Sequence, residues 1–228
     1  MLASTRESRA VGGSAVAFGI ALFVYLTLVD LPDMTTTDAD TLTFYRESGH
    51  RVKSIVGAYV AALVAFLFLV FLFGAVRRLR RYGSGALALV AGIGGTAFVS
   101  LYLAAAGLLV TPAFALTLNN ESVALDHDFA AMARSTSTIG DTLFLMIAPF
   151  AASVFVAAVS LGSRERGRWP KWLIFLGYIV AAALVLPLIF FSLLLLMLWS
   201  IVVGVTLLLT RAADTDRDQA PTFTAPTE

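Results

Sequence analysis

From Val11 onward the chain alternates long apolar runs with short polar ones. Val11 to Val29, Ile55 to Val76, Ala86 to about Val110 and Ile139 to about Leu161 are each close to the length at which a helix rising about 1.5 Å per residue matches the roughly 30 Å hydrocarbon core of a bilayer. Trp172 to Thr210 is about twice as long and carries no charged side chain. It predicts two helices with the reversal at Pro187, which lacks an N–H and pushes Leu186 out of helical geometry. The pattern therefore predicts an all-α, polytopic transmembrane bundle of six spans, at about 11–30, 55–76, 86–110, 139–161, 172–188 and 190–210. These spans form one domain, 1–211. The polar, aperiodic tail 212–228, with Pro221 and Pro226, is expected to be disordered.

The polar segments carry their own patterns. Leu42, Tyr45, Gly49, Val52, Val56 and Tyr59 recur at three- and four-residue steps, so the second helix is expected to begin outside the membrane and run straight into its span, with Glu47 and Arg51 one turn apart. Leu125, Phe129 and Met132 predict a short helix on the membrane surface. Thr138-Ile139-Gly140-Asp141 fits a capping box that would open the fourth span, with Asp141 as a cap. Pro112 is expected to break or kink the third span, leaving 113–118 in the interface, whereas Pro149 lies inside the fourth and is tolerated there. Gly12, Gly13, Ala15, Ala17, Gly19 and Ala21 make half of the first span small, as do Gly92, Gly94 and Gly95 in the third. Lipid tails supply no hydrophobic drive between helices, so such stretches belong where two backbones approach.

Composition sharpens the class. With 59% hydrophobic and 14% charged residues and a mean hydropathy of +0.87, the chain lies far from soluble domains, about a quarter of whose residues are charged. The absence of cysteine excludes disulfide frameworks, thiolate metal sites and cysteine nucleophiles. Charge is unevenly placed. Arg6, Arg9, Arg77, Arg78, Arg80, Arg81, Arg164, Arg166, Arg168, Lys171, Arg211 and Arg217 fall on one side of a six-span layout, and only Arg46, Arg51, Lys53 and Arg134 on the other. The positive-inside rule then puts both termini in the cytoplasm. The acids Asp30, Asp33, Asp38, Asp40, Glu47, Glu121, Asp126, Asp128 and Asp141 then gather on the outer face with both histidines.

Candidate chemistry is sparse. No Asp, Glu, Lys, Arg or His falls in the middle of a predicted span, which disfavours a proton-driven carrier. Hydroxyls at Tyr25, Tyr59, Ser100, Tyr102, Ser153, Tyr178 and Ser192 would line a facilitative transport path, or would bond their own helices. Glu47, His50, Asp126, His127 and Asp128 are the candidate metal ligands of a membrane enzyme, if two outer loops meet. No His-x-x-x-His or His-Glu-x-x-His spacing supports that, and charges beside spans ordinarily mark the water boundary. No cofactor motif, catalytic triad or phosphate loop is present, so the residues read as those of a non-enzyme. The expected partners are the lipid bilayer and, through the Gly/Ala-rich faces, another membrane protein or a second copy; nothing points to nucleic acid.

Arg168-Trp169-Pro170-Lys171-Trp172-Leu173, the run Arg77-Arg78-Leu79-Arg80-Arg81 and Leu198-Trp199-Ser200 follow one another in an order that resembles the small, uncharacterised six-span integral membrane proteins of actinobacteria. The resemblance covers about residues 11 to 210. It implies a topology and a bacterial cytoplasmic membrane, and no chemistry. The function expected is helix packing, partner binding or the binding of a small apolar ligand.

Overall fold

The computed structural model describes residues 2–28, 37–81, 83–118, 125–164, 169–186 and 191–219, and among them every regular element is helical. The elements are α1 (Leu2–Leu28), α2 (Asp38–Arg46), α3 (Ser48–Arg81), α4 (Gly85–Leu118), α5 (His127–Thr142), a π turn (Leu143–Ile147), α6 (Ala148–Arg164), α7 (Lys171–Val185) and α8 (Phe191–Gln219). The expected all-α bundle is observed. Its long helices form a ring in which α8 packs on α1, α1 on α3, α3 on α4, α4 on α6, α6 on α7, and α7 lightly back on α8.

The middle of the ring is filled by rings of another kind. Phe68 meets Phe18 at 5.0 Å between centroids, Phe98 at 4.8 Å and Phe155 at 5.2 Å, and Phe155 meets Phe71 at 5.6 Å and Trp199 at 6.2 Å. All of these side chains are essentially inaccessible. Most of the pairs are edge-to-face, which aligns the positive rim of one ring with the negative face of the next and contributes about 0.5–1.5 kcal/mol per pair beyond burial. Large apolar side chains also cover the outside: Ile20, Phe66, Phe73, Ile93, Phe150, Phe175 and Leu209 are all exposed.

Small residues let the helices close, as the sequence leads one to expect. Gly12 of α1 lies against Gly204 of α8, and Gly94 of α4 lies against the backbone of Ala151 and Phe155 in α6. Among the described residues five helical runs are long and apolar enough to cross a membrane: Arg9–Leu28, Ser48–Arg81, Gly85–Leu118, His127–Arg164 and Ser192–Leu209. At 15 residues, or about 22 Å, α7 is shorter than a hydrocarbon core. Leu186 takes extended angles (φ −80°, ψ 124°), as a residue before proline should. The reversal at Pro187 itself lies outside the described residues.

Several expectations are corrected. The amphipathic run 42–59 is not one helix: Glu47, extended at φ −72°, ψ 116°, separates α2 from α3. Pro112 does not end α4, which continues to Leu118 because Ala113 and Leu116 beyond it are held in a small second core with Tyr45, Phe129 and Ala133. Leu125, Phe129 and Met132 do not mark a separate surface helix, since α5, the π turn and α6 make one helical run of 38 residues. Phe129 is buried in that second core instead of facing lipid. Beyond these corrections, α8 continues past Arg211 to Gln219. No Gly or Pro intervenes before Pro221 to stop it.

Candidate functional site

At the end of the bundle opposite Arg77–Arg81, α2 is clasped to α5. A true capping box opens α2: the Thr37 hydroxyl accepts from the Asp40 N–H, and the Asp40 carboxylate accepts from the Thr37 N–H at 3.3 Å. This fixes the first turn, where Asp38 pairs through one carboxylate oxygen with His127 Nδ1 and through the other with Arg134 Nη2. Tyr45, two turns on, buries its ring edge against Phe129 at 5.7 Å. Burial pushes its phenol above the ordinary value of 10.0, and the nearby Ser137 hydroxyl opposes part of that rise.

The candidate metal ligands are distributed between different partners. His50 Nε2 lies 3.1 Å from the Glu47 carboxylate, and its ring stacks at 4.2 Å on Phe44. His127 belongs to Asp38. Asp126 is the N-cap of α5, its Oδ1 accepting from the Phe129 N–H at 3.0 Å, and Asp128 is exposed in the first turn. Among the described residues no three His, Asp or Glu side chains are grouped to hold a metal ion. Asp38, the residue that ties α2 to α5, was not among the sequence candidates. The Thr-x-x-Asp spacing at Thr37 and Asp40 was the available signal that a helix starts there.

Asp141 is not a cap. Thr138, its proposed partner, sits inside α5 and donates to the Arg134 carbonyl at 2.9 Å, and the helix has already begun at Asp126. The physical reason is that Asp126 satisfies the N-terminal N–H groups before Thr138 is reached. Asp141 therefore stands well within the 38-residue run, half-buried, and its carboxylate makes no hydrogen bond or ion pair among the described residues. The rings of Tyr25, Tyr102 and Phe144 meet at 5.6 to 5.7 Å, and the Tyr102 hydroxyl is buried without a partner among the described residues.

Directly after Asp141 the helix widens. The Ala148 N–H bonds the Leu143 carbonyl five residues back, and Pro149, which has no N–H to offer Leu145, follows at once. The wide turn brings Phe144 into the core beside the tyrosines. A cavity of about 10 Å³, close to the smallest space that holds one water, lies between α1, α3 and α4, lined by Tyr25, Ser54, Gly57, Ala58, Ala106, Leu109 and Val110.

Long apolar helices, an apolar exterior and a packed interior define a multi-pass helical membrane protein. Compared with protein-family models, curated proteins and solved structures, the chain matches none.

Proposed function

We propose that the protein spans a bacterial cytoplasmic membrane six times with both termini in the cytoplasm, and acts by binding an apolar ligand or a partner's helix at its lipid-facing surface, without catalysis and without passing a solute through its centre. The observation that carries this reading is the filled interior, where Phe18, Phe68, Phe98, Phe155 and Trp199 occupy the axis a transport path would need. The excess of Lys and Arg at the Arg77 and Arg164 ends supports the orientation. A cytoplasm-dependent reporter fused after Thr210 is expected to work, and one inserted near Thr36 to fail; the reverse result removes the orientation.

Since the chain has no cysteine, a single introduced thiol is the only one present. Cysteine at Phe98 or Ala152 is expected to stay unlabelled by a membrane-impermeant thiol reagent from either side, while cysteine at exposed Asp128 reacts. Labelling of the central positions in folded protein would overturn the reading in favour of a facilitative carrier. A second reading rests on Asp141, because an acid within a helical span marks proton or cation routes in membrane proteins. It requires a carboxyl infrared band that disappears in Asp141→Asn.

A further inference from the structure

A groove of about 490 Å³ opens on the outside of the ring between α4, α6 and α7, with walls from Leu87, Val90, Phe150, Leu161 and Val185. Small side chains make its floor: alanines at 157, 158, 181 and 182 leave a trough where larger residues would close the surface. Its one polar lining residue, Ser153, has already committed its hydroxyl to the Phe150 carbonyl at 2.6 Å. Along α6 the groove extends from Leu161 to Phe150, about 16 Å at 1.5 Å per residue, which is the depth of one leaflet and about half of the hydrocarbon core. A partner helix crossing the membrane would call for a trough of about twice that length.

Charge is placed at one end only. Arg164 stands three, seven, eleven and fourteen residues from Leu161, Ala157, Ser153 and Phe150, so it continues the same stripe of α6. Lys171 stands eleven and fourteen residues from Ala182 and Val185 and continues the corresponding stripe of α7. Both are exposed, and exposed Trp172 beside Lys171 marks the headgroup level. An apolar trough one leaflet deep with two cations at its mouth is complementary to a lipid with one acyl chain in the trough and a negative headgroup above it.

We infer that the groove between α4, α6 and α7 binds an anionic phospholipid of the leaflet at the basic end, one acyl chain lying between Leu161 and Phe150 and the headgroup against Arg164 and Lys171. This rests on the surface-binding reading above and names its ligand. The test uses the purified full chain exchanged into equal amounts of phosphatidylglycerol and phosphatidylcholine with identical chains, followed by native mass spectrometry. One phosphatidylglycerol is expected to stay bound, with a preference of about tenfold over phosphatidylcholine. Ala182→Phe, which fills the trough at an exposed position, is expected to lose both lipids. Arg164→Gln with Lys171→Gln keeps acyl binding and loses the headgroup preference. Equal retention of the two lipids by the unaltered protein, or full retention by Ala182→Phe, overturns the inference. So does a disulfide between two copies through Ala182→Cys in membranes, because the trough then holds a second copy. A groove without lipid around a centre that still resists thiol labelling sinks this inference alone; a labelled centre sinks the reading beneath it.

Discussion

Gly204 of α8 faces Gly12 of α1 so closely that a Cβ built on Gly204 would stand 2.6 Å from the Gly12 carbonyl oxygen and 2.9 Å from the Val16 nitrogen. Both obstacles are backbone, which cannot rotate aside. With apolar lipid around them these helices gain little from hydrophobic burial against one another, so close packing is what holds them.

Gly204→Leu is therefore expected to separate α1 from α8 and destabilise the bundle by about 1–3 kcal/mol, the usual range for overpacking. Gly13→Ala, where nothing lies within 4 Å, should melt like the unaltered protein. Melting temperatures in one detergent decide it. Equal losses in both variants would mean that the α1–α8 contact is not the cause, since helix propensity favours both changes.

The all-α bundle and its long helices were legible because long apolar runs between charges admit one reading in a membrane, and of the small residues in α1, Gly12 and Gly19 do meet α8 while Gly13 does not. Helix starts were harder to read. Thr138-x-x-Asp141 and Thr37-x-x-Asp40 look alike as text, and the difference is that Asp126 already caps the helix containing Thr138. The continuity of α4 through Pro112 was hidden for a related reason, since it depends on contacts of Ala113 and Leu116 with Tyr45 and Phe129, far away in sequence. Asp38's pairing with His127 and Arg134 is equally non-local, and no spacing rule announces it.

Gly177 supplies a sharper test of the α6–α7–α8 seam. A Cβ there would run into the Ser160 hydroxyl and meet the Ser160 Cβ at 3.0 Å and Trp199 Nε1 at 3.3 Å, and among the described residues both polar atoms are buried without partners. Gly177→Ala should destabilise the protein, and Ser160→Ala alone should cost little, because it deletes a hydroxyl that bonds nothing. Combined, the two should lose less than the sum of the single effects. Strict additivity of the melting shifts would show that Ser160 and Gly177 do not contend for the same space.

Tyr45 makes the α2–α5 clasp sensitive to alkali. Burial holds its phenol above 10.0 in the folded protein, whereas the unfolded chain titrates at about 10, so above pH 10 the folded form keeps a proton that the unfolded form has lost. That stability is complete below pH 10 and declines as pH rises beyond it. Tyr45→Phe removes this term and leaves the lysines unchanged. Its melting temperature should fall less than that of the unaltered protein between pH 9 and 11; parallel curves would place Tyr45 in water.

Asp126 and Asp141 should exchange the roles their sequence contexts suggest. A side chain that caps a helix is worth about 0.5–2 kcal/mol over alanine, since it satisfies an N–H that otherwise goes unpaired. Asp126 accepts such a bond from Phe129 at 3.0 Å, so Asp126→Ala should lose about 1 kcal/mol and loosen the first turn of α5, seen as faster amide exchange at Phe129 and Ala130. Asp141 caps nothing, and its half-buried carboxylate has no bonding partner among the described residues, so Asp141→Asn and Asp141→Leu should fold with equal or greater thermal stability. A loss at Asp141→Leu that matches Asp126→Ala would restore the cap. It would also remove the ground for treating Asp141 as an acid held within a span.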